Sequence, residues 1–293
     1  MNLSPICLFV FKRLNETQQT VKALQANYLS KESDLFVFSD GFSKEEDFPK
    51  VSAVREFIKT IDGFKTITII EYPINQGLAS SIISGVTRVI EQYGKVIVLE
   101  DDLVTSPNFL DFMNSALNFY ILNPHIFSIS GFTYELPTLK KYQSDYYLGY
   151  RASSLGWGTW INRWKEIDWA LKDYAKFKYN FINIMKFMRG GSDMPGMLRN
   201  QVNGRIDSWA IRWCYNQFKN NQFTVFSSSP KIMHIGYGEE ATNEIKTRQI
   251  TVELDTGSQQ EFKFVNDIEL NPQILKEYKN IYSIKNRLLK KYF

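Results

Sequence analysis

The sequence predicts an α/β domain built on a mainly parallel sheet, and three observations predict it. From Pro5 to Glu100, short runs rich in Val, Ile and Phe alternate with longer amphipathic stretches, joined by brief connections. That alternation forces parallel pairing and covers both faces of the sheet with helices. Lys95-Val96-Ile97-Val98-Leu99 reads as a strand buried on both faces. It stops at Glu100-Asp101-Asp102, three adjacent carboxylates at a strand's carboxyl end, where open α/β sheets take their ligands. Three such acids repel one another unless a cation joins them, and hard oxygen donors suit Mg²⁺ or Mn²⁺.

The elements follow in order. Pro5 to Phe11 is a strand, and Asn15-Glu16-Thr17-Gln18 is a capping signal for a helix to about Tyr28. The basic turn Phe11-Lys12-Arg13-Leu14 between them is placed for a nucleotide, although any surface loop carries such residues. Asp34 to Phe38 is the second strand and runs into Ser39-Asp40-Gly41. Asp-Gly signals a turn, yet Asp40 also stands where an acceptor could take the imide hydrogen of a uracil ring. A helix from Phe48 to Ile61 leads to a third strand, Thr66 to Glu71, and Asn75-Gln76-Gly77-Leu78 opens the helix before the central strand. Ser106 and Pro107 mark the next helix, to about Leu122, and Ile126 to Ser130 is a short strand.

Trp157, Trp160 and Trp164 fall at i, i+3 and i+7, a core stripe at helical spacing, with Trp157 equally placed to be a sugar platform. Residues 172 to 204 are polar, aromatic and Gly-containing, which predicts a variable acceptor loop. Arg205 to about Asn220 is a helix whose first turn holds Asp207, an acid that could pair with Arg205 or Arg212. Phe223 to Ser227 is a strand. Of the two histidines, His125 reads as structural and His234 as a satisfied buried residue or a metal ligand. The ending, Ile281 to Phe293, interleaves basic and apolar residues at helical spacing, suited to a membrane interface or to docking.

Composition bounds the class. The 293 residues are 44% hydrophobic and 15% aromatic, with net charge +4, which suits anionic small molecules or a membrane surface and disfavours dedicated nucleic-acid binding. Cys7 and Cys214 suggest neither a disulfide framework nor a thiolate metal site. The first strand lies close to Met1 and no apolar run approaches ~18 residues, which predicts a cytoplasmic protein without a signal peptide or membrane span. Neither G-x-G-x-x-G nor G-x-x-x-x-G-K-[ST] occurs, so a diphosphate would be held by a metal on the acid triplet.

Arg13 after the first strand, Ser39-Asp40-Gly41 after the second, Asn75-Gln76-Gly77-Leu78 before the fourth, and Glu100-Asp101-Asp102 with Pro107-Asn108-Phe109 following together resemble a GT-A glycosyltransferase. The pattern is similar to the N-acetylglucosaminyltransferase I type and to bacterial family 2-like sugar transferases, most of which carry D-x-D. The resemblance runs from about residue 4 to 243. It implies a GT-A (Rossmann-like) mixed, mainly parallel sheet, with residues 1–105 as the nucleotide-sugar half, 106–245 as the acceptor half and 246–293 as a tail that meets membrane or docks.

It also implies roles. Asp102 would take Mn²⁺ or Mg²⁺, with His234 a further candidate ligand; Asp101 the ribose or a metal-bound water; Glu100 the donor sugar hydroxyls; and Arg13 and Asp40 the uridine. Asn75 and Thr242 join the donor site, Thr242 in a lid from Gly236 to Asn243. Gly156 and Trp157, in a Leu-Gly-Trp segment, and Trp209 would face the acceptor, and Asp207 would be the general base. The implied activity is transfer of a hexose or N-acetylglucosamine from a UDP-sugar to a glycan or lipid-linked glycan hydroxyl, with inversion. A sugar-phosphate nucleotidyltransferase, which needs a Gly-rich basic loop that Phe11-Lys12-Arg13-Leu14 does not supply, and a non-catalytic sugar-binding protein are the rivals.

Overall fold

A computed structural model describes residues 2–237, 252–283 and 286. The first half alternates as expected: β1 (Ile6–Val10), α1 (Leu14–Gln25), β2 (Asp34–Ser39), α2 (Phe48–Ile58), β3 (Thr66–Glu71), α3 (Leu78–Tyr93) and β4 (Lys95–Glu100). The second half is β5 (Leu103–Thr105), α4 (Phe109–Phe119), β6 (Ile126–Ser130), β7 (Tyr146–Gly149), β8 (Trp157–Trp160), the short helices α5 (Ile161–Trp164), α6 (Tyr174–Phe177) and α7 (Phe181–Phe187), then α8 (Met194–Val202), α9 (Trp209–Lys219), β9 (Phe223–Ser227), β10 (Ile232–His234) and α10 (Pro272–Ile281).

Eight strands form one mixed sheet in the order β3-β2-β1-β4-β8-β6-β9-β7, and β10 pairs antiparallel with β5. The pairs β1·β2, β2·β3, β1·β4 and β6·β9 are parallel. The order reverses between β1 and β4, so their carboxyl ends, Phe9 opposite Glu100, open a crevice at a topological switch point.

Strand side chains alternate between two cores. Ile6, Leu8 and Val10 meet α1, α2 and α4 on one face, while Cys7 and Phe9 meet α3 and α9 on the other. Both cysteines are free and buried.

Several elements depart from their sequence signals. Helix α1 begins at Leu14 with Arg13 at its cap, one residue ahead of Asn15, and α4 begins at Phe109 rather than at Ser106. Ser106 Oγ instead hydrogen-bonds Asn108 Oδ1 at 2.8 Å, fixing the turn before the helix. The tryptophans do not form a helical stripe: Trp157 and Trp160 lie on strand β8, paired with Val98 and Lys95, and only the turn of α5 returns Trp164 to the cluster. Residues 172 to 204 are no open loop but carry α6, α7 and α8. Their order comes from anchoring rings, Phe177 and Phe187 seated on Tyr215 and Phe218, which local sequence preference does not reveal.

Beyond residue 251 the chain has a docking role where it is described. An extended strap places Phe262 and Phe264 on Phe112, with ring centroids 5.2 and 5.9 Å apart. Helix α10 buries Ile274 and Tyr278 against Leu136, Tyr147 and Phe226. The strap is pinned by Lys231, whose side chain is 2% exposed and ion-paired with Asp255 at 3.0 Å. Removing one partner of such a pair leaves a buried uncompensated charge, at a cost of about 3 kcal/mol. Thermal unfolding should therefore show Asp255→Ala clearly less stable than Lys231→Met, which removes the charge but keeps the stem; equal midpoints would make the pair energetically idle. The basic-apolar ending, apart from residues 281–283 and 286, lies outside the described residues.

Candidate active site

The acid triplet sits where the strand pattern puts it. Glu100 ends β4, and Asp101 and Asp102 form the turn into β5. The turn is fixed from below by the buried Thr20 of α1, whose Oγ1 donates to the Asp101 carbonyl at 2.9 Å and accepts from Leu103 N–H at 3.1 Å. Phe11 N–H donates to Asp101 Oδ2 at 3.3 Å, and Arg13 binds both acids, reaching Asp101 Oδ1 and, at 2.9 Å, Asp102 Oδ2. On the other side Ile235 N–H donates to the Asp102 carbonyl at 2.9 Å, and His234 Nε2 lies 3.1 Å from Asp102 Oδ2. The β10·β5 pairing, Leu103 opposite His234, brings that histidine across 132 positions.

Gly236 closes over this group. A Cβ there would fall 2.1 Å from Asp102 Oδ2 and 2.7 Å from Arg13 Nη1, so a side chain at this position would displace the carboxylate. Thr20 and Ile235 carry no chemistry-bearing pattern in sequence, and only their packing identifies them.

Burial and mutual repulsion set the protonation of the triplet. Burial first, then Asp102 and Asp101, push the Glu100 carboxyl from 4.5 up to about 8. Burial also raises Asp101, to about 6, against the pull of Arg13. At Asp102 burial works upward too, but the His234 hydrogen bond and Arg13 outweigh it and hold the group below its ordinary value. An acid raised in the folded state binds its proton more tightly there than when unfolded. It therefore lowers stability as pH rises from its unfolded value toward its folded one. Without divalent cation, the unfolding midpoint should fall between pH 4.5 and about 8, and Glu100→Gln should flatten that fall. A slope unchanged by the substitution would place its origin elsewhere.

The donor set fits a divalent ion in part. Asp102 Oδ2 and His234 Nε2, 3.1 Å apart, have the separation of adjacent ligands around an ion with bonds of about 2.1 Å. Among the described residues no third His, Cys, Asp or Glu completes a protein-only cage. This is the arrangement of an ion held by one or two side chains, with substrate phosphate oxygens and water filling the rest.

Other expected site residues have different first tasks. Asp40 Oδ1 accepts from Gly41 N–H at 2.9 Å and Gln76 N–H at 2.8 Å, and its Oδ2 from Gly77 N–H at 3.1 Å. Three backbone donors leave this carboxylate little free acceptor capacity for a uracil ring. Asn75 is likewise engaged, donating to the Gly41 carbonyl at 2.8 Å and accepting from Gly77 N–H at 3.1 Å. Together they tie the loop after β2 to the start of α3. Arg55, which the sequence did not single out, adds to the tie by donating to the Asp40 and Tyr72 carbonyls at 3.3 and 2.6 Å.

The acceptor-side aromatics need correction. Trp157 is fully buried, its ring 5.0 Å from both Trp209 and Trp213, and Trp209 is nearly as buried. Neither presents a face to a sugar, because the cluster between β8, α3 and α9 consumes both sides of the rings. Gly156 lies over Ile232, with its carbonyl accepting from Gly131 N–H at 2.9 Å, so its place is in packing. Asp207 precedes the Ser208 cap of α9, is largely exposed, and pairs with Arg212 at 3.1 Å. Thr242 and most of the expected lid lie outside the described residues.

No family model and no curated protein matches this chain. Solved structures with a likeness include TarS residues 1–349 from S. aureus, at 8% identity and a TM-score of 0.43, covering 78% of this chain and 59% of that one. The galactosyltransferase LgtC, solved with donor and acceptor sugar analogs, gives 13% identity and a TM-score of 0.37 over 75% of this chain and 72% of its own. The mannosyltransferase PcManGT of Pyrobaculum calidifontis, solved with GDP-Man and Mn²⁺, gives 13% and 0.33, with 44% and 35% coverage. The chain thus spans about a third of the PcManGT chain and three-fifths of the TarS one.

Proposed function

We propose that this chain is a GT-A glycosyltransferase, with Mn²⁺ or Mg²⁺, that transfers a hexose or N-acetylglucosamine from a UDP-sugar to an acceptor hydroxyl with inversion. One observation carries the reading: Asp101, Asp102, Arg13 and His234 converge at the carboxyl ends of β1 and β4, where the strand order reverses. With no Gly-rich phosphate loop in the chain, that group is the place for a diphosphate.

Asp102 and His234 would hold the ion, which when bound neutralises charge on the departing diphosphate. Arg13 keeps the two aspartates in place and, with its remaining N–H groups, supplies positive charge beside them. Glu100 would meet the donor sugar hydroxyls; in the ion-free protein, burial and its acid neighbours hold its carboxyl up at about 8. Asp207, exposed and held by one ion pair, is free to accept the acceptor hydroxyl's proton as the oxygen attacks the anomeric carbon. The acceptor would be a glycan or a lipid-linked glycan.

A screen of UDP- and GDP-sugars by nucleotide release, with Mn²⁺ and with chelator, tests the reading. Metal-dependent release from one donor is expected. Pyrophosphate chemistry from a sugar phosphate and UTP would favour a nucleotidyltransferase, and donor binding without release a sugar-binding protein.

A further inference from the structure

We infer that α6, α7 and their connection form a second functional surface, a contact that seats the protein on an anionic lipid membrane. Between Tyr174 and Ser192 the chain carries Lys176, Lys178, Lys186 and Arg189 and not one acid. All four cations are exposed. The flanking acids are already engaged, Asp173 with Lys219 at 3.1 Å and Asp193 with Arg151 at 2.9 Å.

Among these cations stand the most exposed large apolar side chains of this part of the fold: Tyr179 at 81%, Phe181 at 73%, Ile182 at 67% and Met185 at 49%. Phe181, Ile182 and Met185 fall within about 100° of one another around α7, at 100° per residue, so they share one outward face. The opposite face is anchored by Phe187, which with Phe177 packs on Tyr215 and Phe218. Asn180 caps the helix, accepting from Asn183 N–H at 3.0 Å. The outward orientation is therefore held by the core.

An apolar face of this kind, rimmed by cations alone, matches an anionic bilayer, which takes apolar side chains below its headgroups and Lys and Arg at their level. A second copy of the chain would bring the same four cations against each other. A neutral glycan would use the aromatic rings but give the cations nothing to meet.

The inference is independent of the carboxylate site and of the proposed reaction. Sedimentation of the full chain with vesicles of phosphatidylcholine, with and without phosphatidylglycerol, tests it. The wild-type chain should partition to the anionic vesicles and lose that affinity with added salt. Phe181→Ser, Ile182→Ser and Met185→Ser together should weaken binding by about a hundredfold. Lys176→Gln with Lys178→Gln should weaken it by about tenfold or more. All five positions are exposed, and an unchanged unfolding midpoint confirms that the variants fold. UDP binding measured on the same samples should be unaltered, which separates this surface from the fate of the proposed activity. Partition unaffected by either set of substitutions, or indifferent to phosphatidylglycerol, overturns the inference. So does wild-type self-association without vesicles that the serine variant abolishes.

Discussion

Asp102→Ala should lose sugar transfer by ~10² or more while remaining folded. Asp102 is the acid on which His234, at 3.1 Å, and Arg13, at 2.9 Å, converge. Its removal deletes the carboxylate that lies 3.1 Å from His234, and leaves Arg13 still paired with Asp101. Stability should not fall in proportion, because Asp102 is one of the charges that push Glu100 up to about 8. Removing it relaxes that repulsion, so at neutral pH part of the lost Arg13 and His234 contact is offset. Nucleotide release at saturating donor and Mn²⁺, beside an unfolding curve, measures both effects. Near-normal turnover would remove Asp102 from the site. A collapse of the unfolding midpoint would recast the triplet as structural.

Asp207→Asn should leave UDP and Mn²⁺ binding intact and lower transfer by ~10² or more. The amide keeps the shape and can still meet Arg212 through its oxygen, but it cannot accept a proton. The exposure of Asp207 makes a folding defect a poor explanation for any loss, and its single ion pair leaves one oxygen available. Steady-state transfer at saturating donor, compared with calorimetric UDP affinity, separates the two roles. If the Asn variant turns over normally, Asp207 is only a helix-start acid paired with Arg212.

The two halves of the chain differ in how far sequence alone reads them. Strand β4 and its acids were legible because a buried parallel strand needs an uninterrupted apolar run, and Glu100-Asp101-Asp102 ends it abruptly. His234 was ambiguous because its partner lies 132 positions away, and only the short β10·β5 ladder brings them together. Asp40 was ambiguous because a strand-end acid and a loop-tying acid look alike in sequence. The difference lies in three backbone N–H groups that the fold aims at it. The tryptophan stripe misled for another reason: i, i+3, i+7 spacing also arises when a strand turns directly into one helical turn, as β8 does into α5. Helices α6 and α7 were not legible because the rings that order them, Tyr215 and Phe218, belong to α9, a distant part of the sequence.

The central claim is that the convergent acids, Arg13 and His234 form a metal-dependent nucleotide site. Calorimetric titration of the wild-type protein with UDP, once with Mn²⁺ and once with chelator, tests it most directly. Binding should require the ion, with affinity falling at least tenfold in chelator. UDP affinity undiminished in chelator, or no binding under either condition, would contradict it.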